Sequence, residues 1–221
     1  MASVKRVAKE VPAKVEGRRQ RAARETRRKI VAAAHDLFVE QGFAATTIQQ
    51  IAERADVAWQ TVYSVFGNKV AILSAVFDVA VAGDDEPVRV MDRPFAQAIR
   101  DTVDPVEKTR LHARHMRETY ARIAGIVGVI EAGAGIDPGI GSLWHKLQEQ
   151  RRYGMGLAAA DILKAARATG RQIRISDEQA GDILWFLTGP WAYRAFVVDR
   201  GWNLDAYEDW IAQTTATQLF G

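Results

Sequence analysis

Apolar residues recur at steps of three and four along nearly the whole chain, and no stretch alternates Val, Ile and Thr with polar residues. That periodicity confines the chain to an all-α fold. Ile30, Ala33, Ala34, Leu37 and Phe38 make one such stripe, and Leu111, Met116, Tyr120, Ile123, Val127 and Ile130 make another on a longer helix. With 48% hydrophobic residues over 221 positions the helices have enough apolar surface for a sizeable core. Cysteine is absent, which excludes disulfides, thiolate nucleophiles and Cys-ligated zinc and is compatible with a reducing cytoplasm. The N-terminus lacks the apolar segment of a signal peptide, and no stretch approaches about 18 uncharged apolar residues. A soluble, cytoplasmic protein without a membrane partner is expected.

Breaks in the periodicity divide the chain. Residues 1–20 read as a basic flexible arm, residues 21–67 as a small helical head, and residues 68–221 as a larger helical body entered through a connecting helix over 68–82. The net charge of +3 hides an asymmetry, because Met1 to Lys29 carries 11 Lys/Arg against three Glu and leaves the remainder acidic. A basic end on an acidic body suggests a polyanion partner for that end.

Within the head, a helix over 21–43 is closed by Gly42. Thr47 and Gln50 have capping-box spacing before a short helix with Ile48, Ile51 and Ala52 turned inward. A tight turn at Asp56 leads into "AWQTVYSVF", and Gly67 and Asn68 stop that helix and cap the next. Two short helices after a longer one make a helix-turn-helix pattern. The stretch "GFAATTIQQIAERADVA" followed by Tyr63, Phe66 and Lys69 resembles TetR-family transcriptional regulators, over about residues 25–75. The resemblance implies a homodimeric DNA-binding protein with an effector pocket in its body.

The residues support DNA contact independently. Phe66, one turn from Val62, should plug the head's core, leaving Tyr63 outward with a hydroxyl for a phosphate. Lys69 should bring its ammonium to the unpaired N–H groups that open the following helix, a phosphate-binding combination. Trp59, Gln60 and Thr61 start the reading helix, where Gln60 suits adenine and the other two a thymine methyl or a sugar. Thr47 suits a phosphate while capping its helix, and Gln49 falls where the resemblance implies a base-reading residue. Arg18, Arg19, Arg21, Arg24, Arg27 and Arg28 offer further phosphate contacts.

For the body, Met116, Tyr120, Ile123, Trp144, Met155, Trp185, Phe186 and Trp191 are candidate pocket residues for an unidentified small-molecule effector, apolar or aromatic. The last two helices, about 176–199 and 204–219, are expected to pair in a homodimer with Trp185, Trp191, Phe196, Trp202 and Trp210 as anchors. Two-fold symmetry then implies a near-palindromic double-stranded operator. The alternative regulator has no small effector and acts through a protein partner. An enzyme using His112, His115 or Glu131 finds no nucleophile–base set, and a metal on the two histidines lacks a completing carboxylate, so no cofactor is expected. "GAGIDPGIG" lacks phosphate-loop spacing and reads as an inter-helix loop.

Overall fold

A computed structural model describes residues 17–86 and 88–220, and they are helical almost throughout. The expected basic arm lies outside the described residues up to residue 16. Its last positions are already helical, because α1 spans Arg18–Ala45 and begins three residues before the expected start. A non-helical Gly42 (φ 81°, ψ 170°) interrupts α1 near its end. Thr47 and Gln50 form the expected capping box, with Gln50 N–H donating to Thr47 Oγ1 at 3.2 Å and Thr47 N–H to Gln50 Oε1 at 2.8 Å. It opens α2 (Ile48–Ala55), which ends on Asp56 in the left-handed region at φ 53°. After α3 (Trp59–Phe66), Gly67 turns the chain at φ 75° and Asn68 Oδ1 accepts from Ala71 N–H at 2.8 Å to start α4 (Lys69–Ala82). The axes of α3 and α4 meet at 74°.

The head closes around Ile30, Phe38, Ile51, Val62, Ile72 and Leu73, all fully buried. Phe66 is not the plug that its spacing suggested. It is half-buried at the rim beneath the Arg27 guanidinium, 4.8 Å from its ring centroid, while Val62 fills the centre. The last turn of so short a helix already overhangs the small core, so the residue one turn earlier reaches deeper.

Gly83 ends α4, and the connector beyond it is pinned by charge. Arg93 makes two bonds to Asp84 at 2.7 and 2.8 Å, and Arg24 of α1 meets Glu86 at 2.5 Å. A 3₁₀ turn (Val90–Asp92) and α5 (Pro94–Asp101) lead to α6 (Pro105–Ala134), which has Pro105 in its first turn as expected. The body's next helix, α7 (Pro138–Ala168), starts four residues before the expected Ser142. Asp137 Oδ1 accepts from the N–H groups of Gly139 (2.7 Å) and Ile140 (3.1 Å) with Pro138 in the first turn, so most of the glycine-rich "loop" is helix.

Ser176 and Gln179 form the second capping box and open α8 (Asp177–Leu187). The expected bend at Pro190 is a full break: α9 (Pro190–Tyr193) starts there and runs into a π-helical turn over Arg194–Asp199. Finally α10 (Leu204–Leu219) packs along α6 and against α8, while α8 lies on α7. Arg114 and Arg117 of α6 pair with Glu208 and Asp205 of α10, which fixes those two helices as antiparallel neighbours. Lys108, 2% exposed, holds three elements together by donating to Ile99 O, Arg100 O and Asp161 Oδ2. Among the described residues, no single helix is long and apolar enough to cross a membrane.

Candidate nucleic-acid interface and body cavity

The reading helix is anchored from one side only. Val62 is buried, and the remaining surface of α3 is open: Trp59 is 52% exposed, Tyr63 59%, and Gln60 and Ser64 are also exposed. An exposed indole and phenol on a two-turn helix have no folding role that the packing requires. Thr61 is half-buried. From α2, Gln49 is exposed, and Thr47 is exposed while its hydroxyl is committed to the cap. Thr47, Gln49, Trp59, Gln60 and Tyr63 thus all have open surface in one helix-turn-helix unit.

Lys69 behaves differently from the expectation. Its ammonium donates to the carbonyl oxygens of Phe43 (2.6 Å) and Thr46 (2.7 Å) and lies 4.2 Å from the Phe43 ring centroid. It therefore satisfies the carbonyl end of α1 instead of joining the N–H groups that open α4. Partial burial lowers its pKa, and the charge of Asp137 acts in the opposite direction. One ammonium proton remains for another acceptor. Spacing could not reveal this, because the acceptors are 26 and 23 residues away.

The arginines of α1 divide into two groups. Arg18, Arg19 and Arg21 are exposed. Arg24 is engaged with Glu86 and the Asp85 carbonyl, Arg27 covers Phe66, and Arg28 pairs with Glu25.

Between α4, α6 and α7 lies a cavity of about 500 Å³, within the range of small-molecule sites. Met116, Tyr120, Ile123, Trp144 and Met155 line it, joined by Phe77 and Asp78 of α4, His115, Thr119 and Arg151. Three residues expected in this set lie elsewhere. Phe186 is 60% exposed on α8, and Trp185 and Trp191 stand behind the wall, edge to face at 4.9 Å. Their rings hold the Arg151 guanidinium at 4.7 and 4.8 Å from the two centroids. Trp191 can lie there because Gly189 has no side chain, a Cβ at that position overlapping the indole. Trp185 and Trp191 face inward behind the cavity wall, whereas Phe186, expected with them, faces outward. Burial raises the Tyr120 hydroxyl to about 12 and lowers His115, which stacks on Phe95 at 3.6 Å, to about 3. Both are neutral at physiological pH.

The cavity and the head share structure. Arg122 of α6 donates to the last carbonyls of α4, Ala80 (3.2 Å) and Val81 (3.3 Å), and to Thr119 Oγ1 at 3.4 Å on the cavity wall. On the opposite side, Tyr120 stacks on Tyr193 (5.8 Å), which meets Tyr207 of α10 edge to face (5.4 Å). Of the expected dimer anchors, Phe196, Trp202 and Trp210 cluster together, with Phe196 4.6 Å from each of the other two rings. Among the described residues no group of three His, Asp or Glu could hold a metal ion.

Comparison with known proteins points the same way. The family pattern described as bacterial regulatory proteins, tetR family, matches residues 30–76, which runs from α1 into α4. The uncharacterised HTH-type transcriptional regulator YdeS of Bacillus subtilis is 29% identical over 185 residues, covering 82% of this chain and 83% of its own. The HTH-type transcriptional regulator TcmR of Streptomyces glaucescens is 29% identical over 208 residues, covering 90% and 83%. The crystal structure of NalD from Pseudomonas aeruginosa, described as the secondary repressor of the MexAB-OprM multidrug efflux pump, shares the fold. It aligns with a TM-score of 0.65 at 17% identity over 90% of this chain and 98% of that one. With its helix-turn-helix head, its all-helical body and these relatives, the chain belongs to the TetR family of DNA-binding transcriptional regulators, a family of regulators and not of enzymes.

Proposed function

We propose that this regulator is a repressor that grips a near-palindromic operator as a two-fold homodimer and releases it when a small, mainly apolar molecule fills the body cavity. The observation that carries the reading is the double duty of α4. It leaves the reading corner at Lys69, and its last turns, from Phe77 to Ala82, form one wall of the cavity. A molecule that prefers one placement of that wall shifts the separation of the two heads by its differential affinity. Release of DNA follows if the preferred separation no longer spans adjacent major grooves, about one helical turn apart.

In this reading Gln60 and Gln49 read bases, Trp59 and Thr61 touch a methyl or a sugar, and Tyr63 and Thr47 hold phosphates. Lys69 fixes the corner and directs its remaining proton to the backbone. The exposed Arg18, Arg19 and Arg21 add affinity that falls with salt. Dimerisation through α8 and α10 is supported by the open apolar surface of Phe186 on α8 and of Val198 and Trp202 in the segment that leads into α10. The repression of a multidrug efflux pump that NalD's description states belongs to that protein, and it fits a role of this kind.

Selection of bound fragments from random duplexes tests the proposal. Two inverted half-sites about one turn apart are expected. Tyr63→Ala should weaken binding to every duplex alike, and Gln60→Ala should relax the preference at one position per half-site. Unrelated single sites, or equal loss from both substitutions on all sequences, would overturn the assignment.

A further inference from the structure

Arg151 is a cation on an apolar wall that meets no carboxylate among the described residues. The other partly buried arginines whose bonds are described meet acids: Arg93 meets Asp84, Arg117 meets Asp205 and Glu208, and Arg24 meets Glu86. Arg151 instead donates to Trp185 O at 2.6 Å and to Gln148 Oε1 at 3.2 and 3.3 Å, all neutral acceptors. Its plane is fixed by the two indoles, so the group is oriented before any molecule arrives. A guanidinium carries five N–H donors; those three bonds leave two on the cavity side, where Arg151 also interacts with the Tyr120 hydroxyl, so the two groups face the cavity as a pair. Desolvation works against the charged form of Arg151. An isolated buried charge is costly and gains most from an opposite charge brought in by a ligand.

The cavity's one acid does not reverse this balance. Asp78 is exposed on α4; desolvation raises its carboxyl above the ordinary carboxylate range, and the charges of Lys146 and Arg27 act in the opposite direction. His115 contributes no charge.

We infer that the effector is an apolar anion: a molecule with a carboxylate or comparably compact acid seated on Arg151 and Tyr120, and an aromatic or alicyclic body lying among Met116, Ile123, Leu147 and Met155. This rests on the reading of the cavity as the effector site and specifies the chemistry that the site accepts. Apart from Asp78 the rest of the lining is apolar or neutral, so the acid fixes the orientation while the body supplies most of the affinity.

The test uses three probes on one skeleton: 1-pyrenebutyrate, the neutral 1-pyrenebutanol and the cationic 1-pyrenebutylamine. Affinities are read from pyrene fluorescence against the full-length protein. The carboxylate should bind at least about tenfold more tightly than the alcohol, the gain expected of a charge-assisted hydrogen bond. The amine should bind more weakly than both. Arg151→Met should bring the carboxylate and the alcohol to equal affinity, and Asp78→Asn should not weaken the carboxylate. Carboxylate and alcohol binding equally to the native protein would sink the anion assignment while leaving the cavity as a binding site. So would an amine preference abolished by Asp78→Asn. Failure of all three probes would overturn the cavity reading and the assignment together. The native comparison stands by itself if Arg151→Met does not fold, and Arg151→Lys, which keeps the charge without the stacked plane, should retain part of the carboxylate preference.

Discussion

Lys69 and Tyr63 flank the same corner and divide its work. The phenol is 59% exposed and takes part in no described hydrogen bond, so removing it should cost the fold little. The ammonium is committed to the Phe43 and Thr46 carbonyls. Lys69→Met keeps the stem but leaves those carbonyls without a donor, and a loss of about 1–3 kcal/mol is expected on the scale of charged hydrogen bonds. Urea denaturation of the free protein measures it. A loss of operator affinity with unchanged stability would instead assign Lys69 to phosphate alone. Sequence order gave this residue its position but not its partners. An ammonium at the start of a helix reads as an anion site until the end of another helix is known to lie against it. Tyr63 was legible for the opposite reason, because its outward face follows from the burial of Val62 on its own short helix.

At the scale of elements, most of the fold could be read from local chemistry. The capping boxes at Thr47 and Ser176, the Asn68 cap and Pro105 at the start of α6 all involve residues two to four positions apart, and each stands where spacing put it. The errors fall where glycines disguise a local start and where the path of a helix depends on distant packing. α7 begins early on the Asp137–Pro138 cap, and the single helix expected over 176–199 breaks at Pro190. The corner between α3 and α4 offers a test of local determination. Gly67 holds φ 75° with nothing within 4 Å of an added Cβ, so Gly67→Ala acts through backbone strain alone. A loss of about 1–2 kcal/mol is expected, read as a lower midpoint in thermal or urea unfolding. An unchanged midpoint would mean that the corner relaxes, and the 74° between α3 and α4 would then not depend on glycine.

For the molecule as a whole, a buried histidine, His112, and a half-buried one, His115, couple stability to acidity. Burial holds His112 at about 4 and His115 at about 3, both well below the ordinary value of about 6.5. Below about pH 6.5 the unfolded chain takes up protons that the folded chain refuses, so stability present at neutral pH is lost as the pH falls toward 4. His112 alone should cost about 2 kcal/mol between pH 7 and pH 5. Urea midpoints at the two values, with the histidine ring signals followed by NMR, check it. Rings that titrate near 6.5 in the folded protein would contradict the burial.

The sharing of α4 also limits how such a protein can be recombined. Ile72, Leu73 and Val76 are buried beside α1 and α6, while Phe77, Asp78, Val81 and Ala82 form cavity wall, all within the fourteen residues of one helix. A chimera that joins a relative's helix-turn-helix head to this body therefore has no neutral seam at Gly67. A cut there parts α3 from the helix that completes its core, and a cut after Ala82 exchanges one wall of the pocket along with the head. On the proposed reading of the cavity, transplanted specificity would arrive with altered ligand preference unless the last turns of α4 were kept native.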